Sequence, residues 1–235
     1  MTLPADQVKV GPNPFDAAIV DLDGTLLDTL GDFVAALALA LGELGLPPVD
    51  RAFVERTIGK GSEHLLRRTL DHLGADAGHY EAAWSAYQRH DLAVNGRQAQ
   101  VFPGAAEGLQ LLRAAGLRLA CLTNKPTAFA RPLLAAKGLD SHFERVFGGD
   151  AFARKKPDPL PLLETCKALG TEPARTLMVG DSRNDAEAAH AAGCPVVLVT
   201  YGYNHGEPVR QVPARLYLDR LDRWPAGWPF SPAGA

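Results

Sequence analysis

The sequence predicts an α/β protein, a core of parallel strands and helices with an all-helical segment inserted after the first strand. Three observations carry that prediction. Short apolar runs of strand length recur along the chain, helix-length stretches with start and stop signals separate them, and one interval, Asp28 to Gln100, holds helices and no convincing strand. Taken in order, Ala17 to Asp21 is an apolar run without alternation, as expected of a strand buried on both faces. Four amphipathic helices follow at Thr29–Leu44, Asp50–Ile58, Ser62–Leu73 and His79–Val94. Their punctuation is Gly45-Leu46-Pro47-Pro48, Gly59-Lys60-Gly61, the Gly74–Gly78 stretch and Asn95-Gly96. Alternation then resumes. Pro103-Gly104 opens a helix ending at Gly116, Leu117–Leu122 is a strand, Thr127 opens a helix ending at Gly138, and Arg145–Phe147 is a strand. A helix start stiffened by proline follows Lys155-Lys156-Pro157-Asp158-Pro159. Thr176–Val179, a helix from Asn184 or Asp185 to Gly193, Val196–Thr200 and Leu216–Leu218 complete the pattern. The expected organisation is a core built from 1–27 and 102–235 and a helical cap over 28–101. The cap's ends, Leu26–Asp28 and Gln100–Pro103, should lie side by side and form a hinge.

Composition fits that class. The 235 residues are 46% hydrophobic, 22% charged and 7% aromatic, so disordered and fibrous chains are excluded. The longest apolar-looking stretch, Phe33 to Leu41, stops at Gly42-Glu43, well short of the roughly 20 residues a bilayer requires. Met1–Asp6 has no basic start and no apolar run, which predicts a cytoplasmic protein without a secretory signal. Cys121, Cys166 and Cys194 are odd in number and widely spaced, against a disulfide framework or a thiolate zinc site, and are expected as small buried apolar residues. A net charge of -3 gives no footprint for nucleic acid or an anionic membrane surface. The expected partner is a small molecule, and the expected assembly a monomer or homodimer. The seven histidines form no metal-spacing motif. The tail Trp224-Pro225-Ala226-Gly227-Trp228-Pro229 reads as irregular.

The chemistry-bearing residues stand where strands end. Asp21 and Asp23, in Asp21-Leu22-Asp23-Gly24-Thr25, are two apart, so both carboxylates aim at the crevice beyond the sheet edge. Two acids that close resist joint ionisation unless a cation lies between them or one keeps a proton. Oxygen-rich surroundings without a His or Cys cluster favour Mg²⁺. Taken alone, the pair has a second, lesser reading as a cap on the turn before a helix. Thr123 and Asn124 put a hydroxyl and backbone N–H groups at a helix start, suited to phosphate oxygens. Lys155 and Lys156 place ammonium groups before the next helix. Asp181 and Asp185, in Gly180-Asp181-Ser182-Arg183-Asn184-Asp185, add two acids at a strand end and in the first helical turn.

That order of four motifs resembles the haloacid dehalogenase-like superfamily over nearly the whole chain. Thr57-Ile58-Gly59-Lys60-Gly61, Thr123-Asn124-Lys125-Pro126, Phe147-Gly148-Gly149-Asp150 and Thr200-Tyr201-Gly202-Tyr203-Asn204-His205-Gly206-Glu207 look like bacterial phosphoglycolate phosphatases. The resemblance implies a Rossmann-like core, the helical cap, and hydrolysis of 2-phosphoglycolate to glycolate and phosphate. It implies Asp21 as the nucleophile that becomes an aspartyl-phosphate and Asp23 as general acid and then base. Mg²⁺ is implied on the carboxylates of Asp21 and Asp181 and the backbone carbonyl of Asp23, with Asp185 supporting. Thr123, the Asn124 backbone and Lys156 are implied as holders of the remaining phosphate oxygens, Lys155 being the weaker lysine because the family places its lysine immediately before the proline.

The cap should choose the ester. Gly59-Lys60-Gly61 can bend over the site and bring Lys60 to a substrate carboxylate, and the same residues also read as a plain helix-joining turn. Other small phosphate esters share every core motif, among them sugar phosphates and N-acetylmuramate 6-phosphate. A phosphomutase would need a cap that excludes water. A non-catalytic phosphate-binding protein would have lost at least one of Asp21, Asp23, Lys156 and Asp181, and all four are present.

Overall fold

Apolar residues that alternate between two faces of a strand call for cover on both sides, and the chain supplies it by crossing over after each strand. The computed structural model describes residues 13–230, and Met1–Asp6 lies outside them. From the amino-terminal side, β1 (Ala17–Val20) leads through β2 (Leu27–Asp28) into α1 (Leu30–Glu43), α2 (Arg51–Thr57), α3 (Ser62–Leu73) and α4 (Tyr80–Val94), and β3 (Gln100–Val101) returns. The rest alternates: α5 (Ala105–Ala114), β4 (Arg118–Leu122), α6 (Thr127–Ala136), β5 (Arg145–Phe147), α7 (Leu160–Leu169), β6 (Thr176–Gly180), α8 (Arg183–Ala192), β7 (Val196–Val199) and β8 (Leu216–Leu218).

Six strands form one parallel sheet in the order β5-β4-β1-β6-β7-β8. The chain winds one way from β1 through β4 to β5 and the other way through β6 to β8. The carboxyl ends of β1, β4 and β6 therefore flank the point where winding reverses, the crevice in which such sheets bind ligands. Ala18, Val20, Leu119, Cys121, Leu177 and Val179 face a core completed by α5 and α6; Ala17, Ile19, Ala120, Leu122 and Met178 face a second one under α7 and α8. All three cysteines are buried and free.

A third apolar cluster holds α1, α2, α3 and α4 together, and Tyr203, from beyond β7, is its one contribution from the sheet side. The pair of two-residue strands, Leu27–Asp28 against Gln100–Val101, joins the two ends of this helical segment. Two residues are too few for a periodic pattern, which is why the sequence shows no strand there. The Pro-rich tail is not loose: Trp224 and Phe230 are buried against Phe15 and Trp228 in the first core. Among the described residues no helix is long and apolar enough to cross a membrane.

Candidate active site

Backbone pairing carries three strand ends to one place. Asp21 N–H still bonds the carbonyl of Val179 across the sheet at 2.9 Å, and Thr123 N–H bonds that of Phe147 at 3.0 Å, so both side chains leave the last paired residue of a strand. After Asp21 the chain turns at once, with Gly24 N–H bonded to Leu27 O at 2.9 Å. Gly24 takes a φ of +89°, and a Cβ there would collide with the Asp181 carboxylate, so glycine is required both by the turn and by the close approach.

At the end of β6, Ser182 caps α8 and Asp185 answers it from the third helical position. One Asp185 oxygen accepts from Ser182 N–H at 3.1 Å, Ser182 Oγ at 2.8 Å and Asp181 N–H at 3.2 Å. The other accepts from Lys156 Nζ at 2.7 Å. Asp185 thus has most of its acceptor capacity committed and braces its neighbours. Asp181 accepts from Thr25 Oγ1 at 3.0 Å and from Tyr203 N–H at 2.6 Å. Lys156, only 4% exposed, gives its ammonium protons to Asp21 at 2.6 Å, Asp185 at 2.7 Å and the Leu122 carbonyl at 2.9 Å. All three donors of this lysine are engaged, so its contribution here is to orient Asp21 and offset its charge.

Carboxylate oxygens of Asp21, Asp181 and Asp185 lie within 4.8 Å of one another, all buried. Burial pushes the Asp21 carboxyl up to about 7; the Lys156 ammonium opposes that rise, and the charges of Asp185 and Asp23 add to it. Burial also raises Asp181 well above the usual range, with Asp185 and Asp21 reinforcing the effect. Burial alone would lower Lys156, but Asp185 and Asp21 outweigh it and hold the ammonium charged. One cation among three buried acids leaves negative charge uncompensated, and the donor set is all oxygen. Such a triad is compatible with a divalent, hard cation. The Asp23 carboxylate is outside it.

A pocket opens beside Asp21, lined also by Asp23, Thr123, Asn124 and Lys125 from the sheet side, and by Phe33, Ile58, Gly59, Gly61, Ser62 and Leu65 from the helical segment. Thr123 Oγ1 accepts from Lys125 N–H at 3.1 Å, which leaves its own hydroxyl proton free to donate. Asn124 ties the two sides together. Its amide donates to the Gly59 carbonyl at 3.0 Å and to Lys156 O at 2.8 Å, and its carbonyl accepts from Lys156 N–H at 3.0 Å. Gly59, at φ +105°, also receives the Asn184 amide at 3.2 Å. The Gly59–Gly61 turn therefore splits. Gly59 and Gly61 line the pocket, whereas Lys60 is exposed on a neighbouring groove with Arg56, His64, Arg68 and His205. Lys155 pairs with Glu63 at 3.4 Å.

Three residues of the site carry contacts to which the motifs assign no role. Tyr203 accepts N–H bonds from Thr29 at 3.0 Å and Leu30 at 3.2 Å and donates to Asp28. Lys125 and Ser62 stand in the pocket wall. Lys125 and Tyr203 stand in stretches that the sequence already marks, whereas Ser62 has only its place next to Gly61 as a signal.

The haloacid dehalogenase-like hydrolase family model matches residues 15–193, which span the strand ends just described. The chain belongs to the haloacid dehalogenase-like hydrolases. Within that family it is 42% identical over 208 residues to a phosphoglycolate phosphatase of Thiobacillus denitrificans, covering 87% of this chain and 92% of that protein. It is 43% identical over 215 residues to a plasmid-borne phosphoglycolate phosphatase of Cupriavidus necator, covering 91% and 93%. Among solved structures, that of a predicted phosphoglycolate phosphatase from Haemophilus somnus matches with a TM-score of 0.86 at 33% identity, over 90% of this chain and 96% of that one.

Proposed function

We propose that this hydrolase is a Mg²⁺-dependent phosphomonoesterase that converts 2-phosphoglycolate to glycolate and phosphate through a phosphoryl group carried on Asp21. The observation that carries the reading is that Asp21 and Asp23 line one pocket at the sheet's winding reversal, with Asp21 also belonging to the buried acidic triad with Asp181 and Asp185. The relatives named above support the substrate.

Asp21, held by Lys156, attacks phosphorus, and the ester oxygen departs. Asp23, at the pocket wall, gives that oxygen its proton. It then takes a proton from the water that cleaves the phosphoryl-aspartate, releasing phosphate. Thr123 donates its hydroxyl to a phosphate oxygen, beside the Asn124 backbone. Lys156 acts on phosphate through its charge, since its N–H groups are spoken for. Mg²⁺ fits the oxygen-only triad; Asp21 and Asp181 with the Asp23 carbonyl would hold it, braced by Asp185, and it would supply positive charge against the phosphate oxygens. The helices of 28–101 serve as the cap that decides which ester enters.

The test is phosphate release with Mg²⁺ across 2-phosphoglycolate, sugar phosphates, N-acetylmuramate 6-phosphate and an aryl phosphate, ranked by kcat/KM. An advantage of about tenfold or more for 2-phosphoglycolate is expected. A higher rank for another ester overturns the substrate, and release that survives Asp21→Asn overturns the covalent route.

A further inference from the structure

The substrate proposed above carries a second charge, a carboxylate on the carbon next to the ester carbon, and a buried carboxylate needs a cation or several donors to replace its water. The exposed Lys60 is outside the pocket. Inside, the wall from the helical segment is mostly apolar, with Phe33, Ile58 and Leu65. Two groups stand out against it, Lys125 from the sheet side and Ser62 from the helical segment.

Lys125, 4% exposed, is the one cation among the residues lining the pocket. Its ammonium lies 4.2 Å from the centroid of the Phe33 ring and 3.4 Å from an Asp23 oxygen. That contact to Asp23 is long, and among the described residues it is the only hydrogen bond its Nζ makes. Asp91 attracts the ammonium, yet neither of its oxygens has a hydrogen-bond partner. An ammonium has three donors, so Lys125 sits buried with capacity to spare. Ser62, 3% exposed, begins the twelve-residue helix α3 on the wall from the helical segment. Its hydroxyl makes no hydrogen bond of good geometry, and its polar neighbour is the Tyr87 phenol, which makes none either. Because α3 starts at the pocket, its amino-terminal partial positive charge reinforces the preference for an anion.

The geometry points to Lys125 and Ser62 as the subsite that takes the carboxylate of a short phosphorylated hydroxy acid, while Asp21 and Thr123 engage its phosphate. This rests on the phosphatase reading above. It assigns ester choice to one residue from the sheet side and one from the helical segment, so the pocket recognises its ligand only when the two sides meet.

Ethyl phosphate, which has the same two-carbon frame without the carboxylate, isolates the effect. Wild type should favour 2-phosphoglycolate over ethyl phosphate by roughly 100-fold or more in kcat/KM. Lys125→Met should remove most of that ratio, chiefly through KM, Lys125→Arg should restore part of it, and Ser62→Ala should cut it roughly tenfold. Equal losses on both esters in Lys125→Met would mean that Lys125 serves Asp23 or the fold, and would overturn the assignment. If Lys125→Met does not fold, the Ser62→Ala ratio decides: an unchanged ratio overturns the subsite. A wild type without preference between the two esters fails earlier, at the substrate reading itself, so the two failures are separable.

Discussion

Asp23 differs from Asp21 in what surrounds it. Asp21 is gripped by Lys156 at 2.6 Å, whereas Asp23 meets only the distant ammonium of Lys125 at 3.4 Å, on the pocket wall where a leaving group would pass. Asp23→Asn should therefore cost roughly 10²–10⁴ in kcat with an alkyl ester, whose alkoxide needs a proton. With 4-nitrophenyl phosphate the first step needs no acid, and stopped-flow absorbance should show a stoichiometric burst of nitrophenolate before slow turnover. The same loss on both esters without a burst would sink the acid–base role. Asp91 is a second, independent case. It is buried in α4 with neither oxygen paired, and burial pushes it up to about 6, moderated by Lys125. A carboxyl whose folded pKa exceeds its unfolded value binds its proton more tightly when folded. The stability it supplies is complete below about pH 4 and is lost as pH rises through 6. Asp91→Asn should remove that slope, so unfolding free energies of variant and wild type from urea titration should diverge between pH 4 and 7 by roughly 2–3 kcal/mol. Parallel curves would show that Asp91 does not titrate there.

Elements explain what was readable in advance. The strands β1, β4 and β6 are apolar on both faces and are followed at once by polar residues, so both the sheet and Asp21, Thr123 and Asp181 at its edge follow from the sequence. Strand order is a matter of where each crossover lands, and the pattern alone fixes only that the strands are parallel. Contacts between segments far apart in the chain were hidden for the same reason. The Asn124 amide reaching Gly59, and the Tyr203 phenol reaching the start of α1, leave no local signature, since each residue satisfies a partner more than sixty positions away. Tyr203 is the sharper example. It joins the acidic triad, through its N–H on Asp181, to the entry of the helical segment at Asp28, Thr29 and Leu30. Removing its hydroxyl takes an acceptor from two helix-start N–H groups: Leu30 N–H keeps Asp28 Oδ1 at 3.2 Å, and Thr29 N–H loses its side-chain partner. Tyr203→Phe should lower unfolding free energy by about 1–3 kcal/mol in urea titration, and a change under 0.5 kcal/mol would show that water replaces the phenol without cost.

At the scale of the whole molecule, the fold concentrates like charge where it has the least solvent. Net charge is only -3, yet three buried carboxylates cluster within 4.8 Å of one another with a single touching ammonium. Raised acids at Asp21 and Asp181 state the consequence: without a further cation the native chain must take up protons or tolerate repulsion. A cation taken up by the triad would link its binding to folding, because the unfolded chain brings no such triad together. Two cores, one on each face of the sheet, and the aromatic tail of Trp224, Trp228 and Phe230 over Phe15 hold the strand ends in place while this charge is enclosed. Mg²⁺ at about 100 times its dissociation constant should add roughly 2.7 kcal/mol to native stability. For a chain of this size that corresponds to a rise in Tm of about 5–10 °C, read by calorimetry in EDTA against excess Mg²⁺ at pH 7.5. Asp181→Asn removes one of the competing charges, so it should raise Tm in EDTA and shrink the Mg²⁺ increment together. A variant that keeps the full increment would place the ion elsewhere, and a wild type with no increment would mean that the triad is neutralised by protons alone.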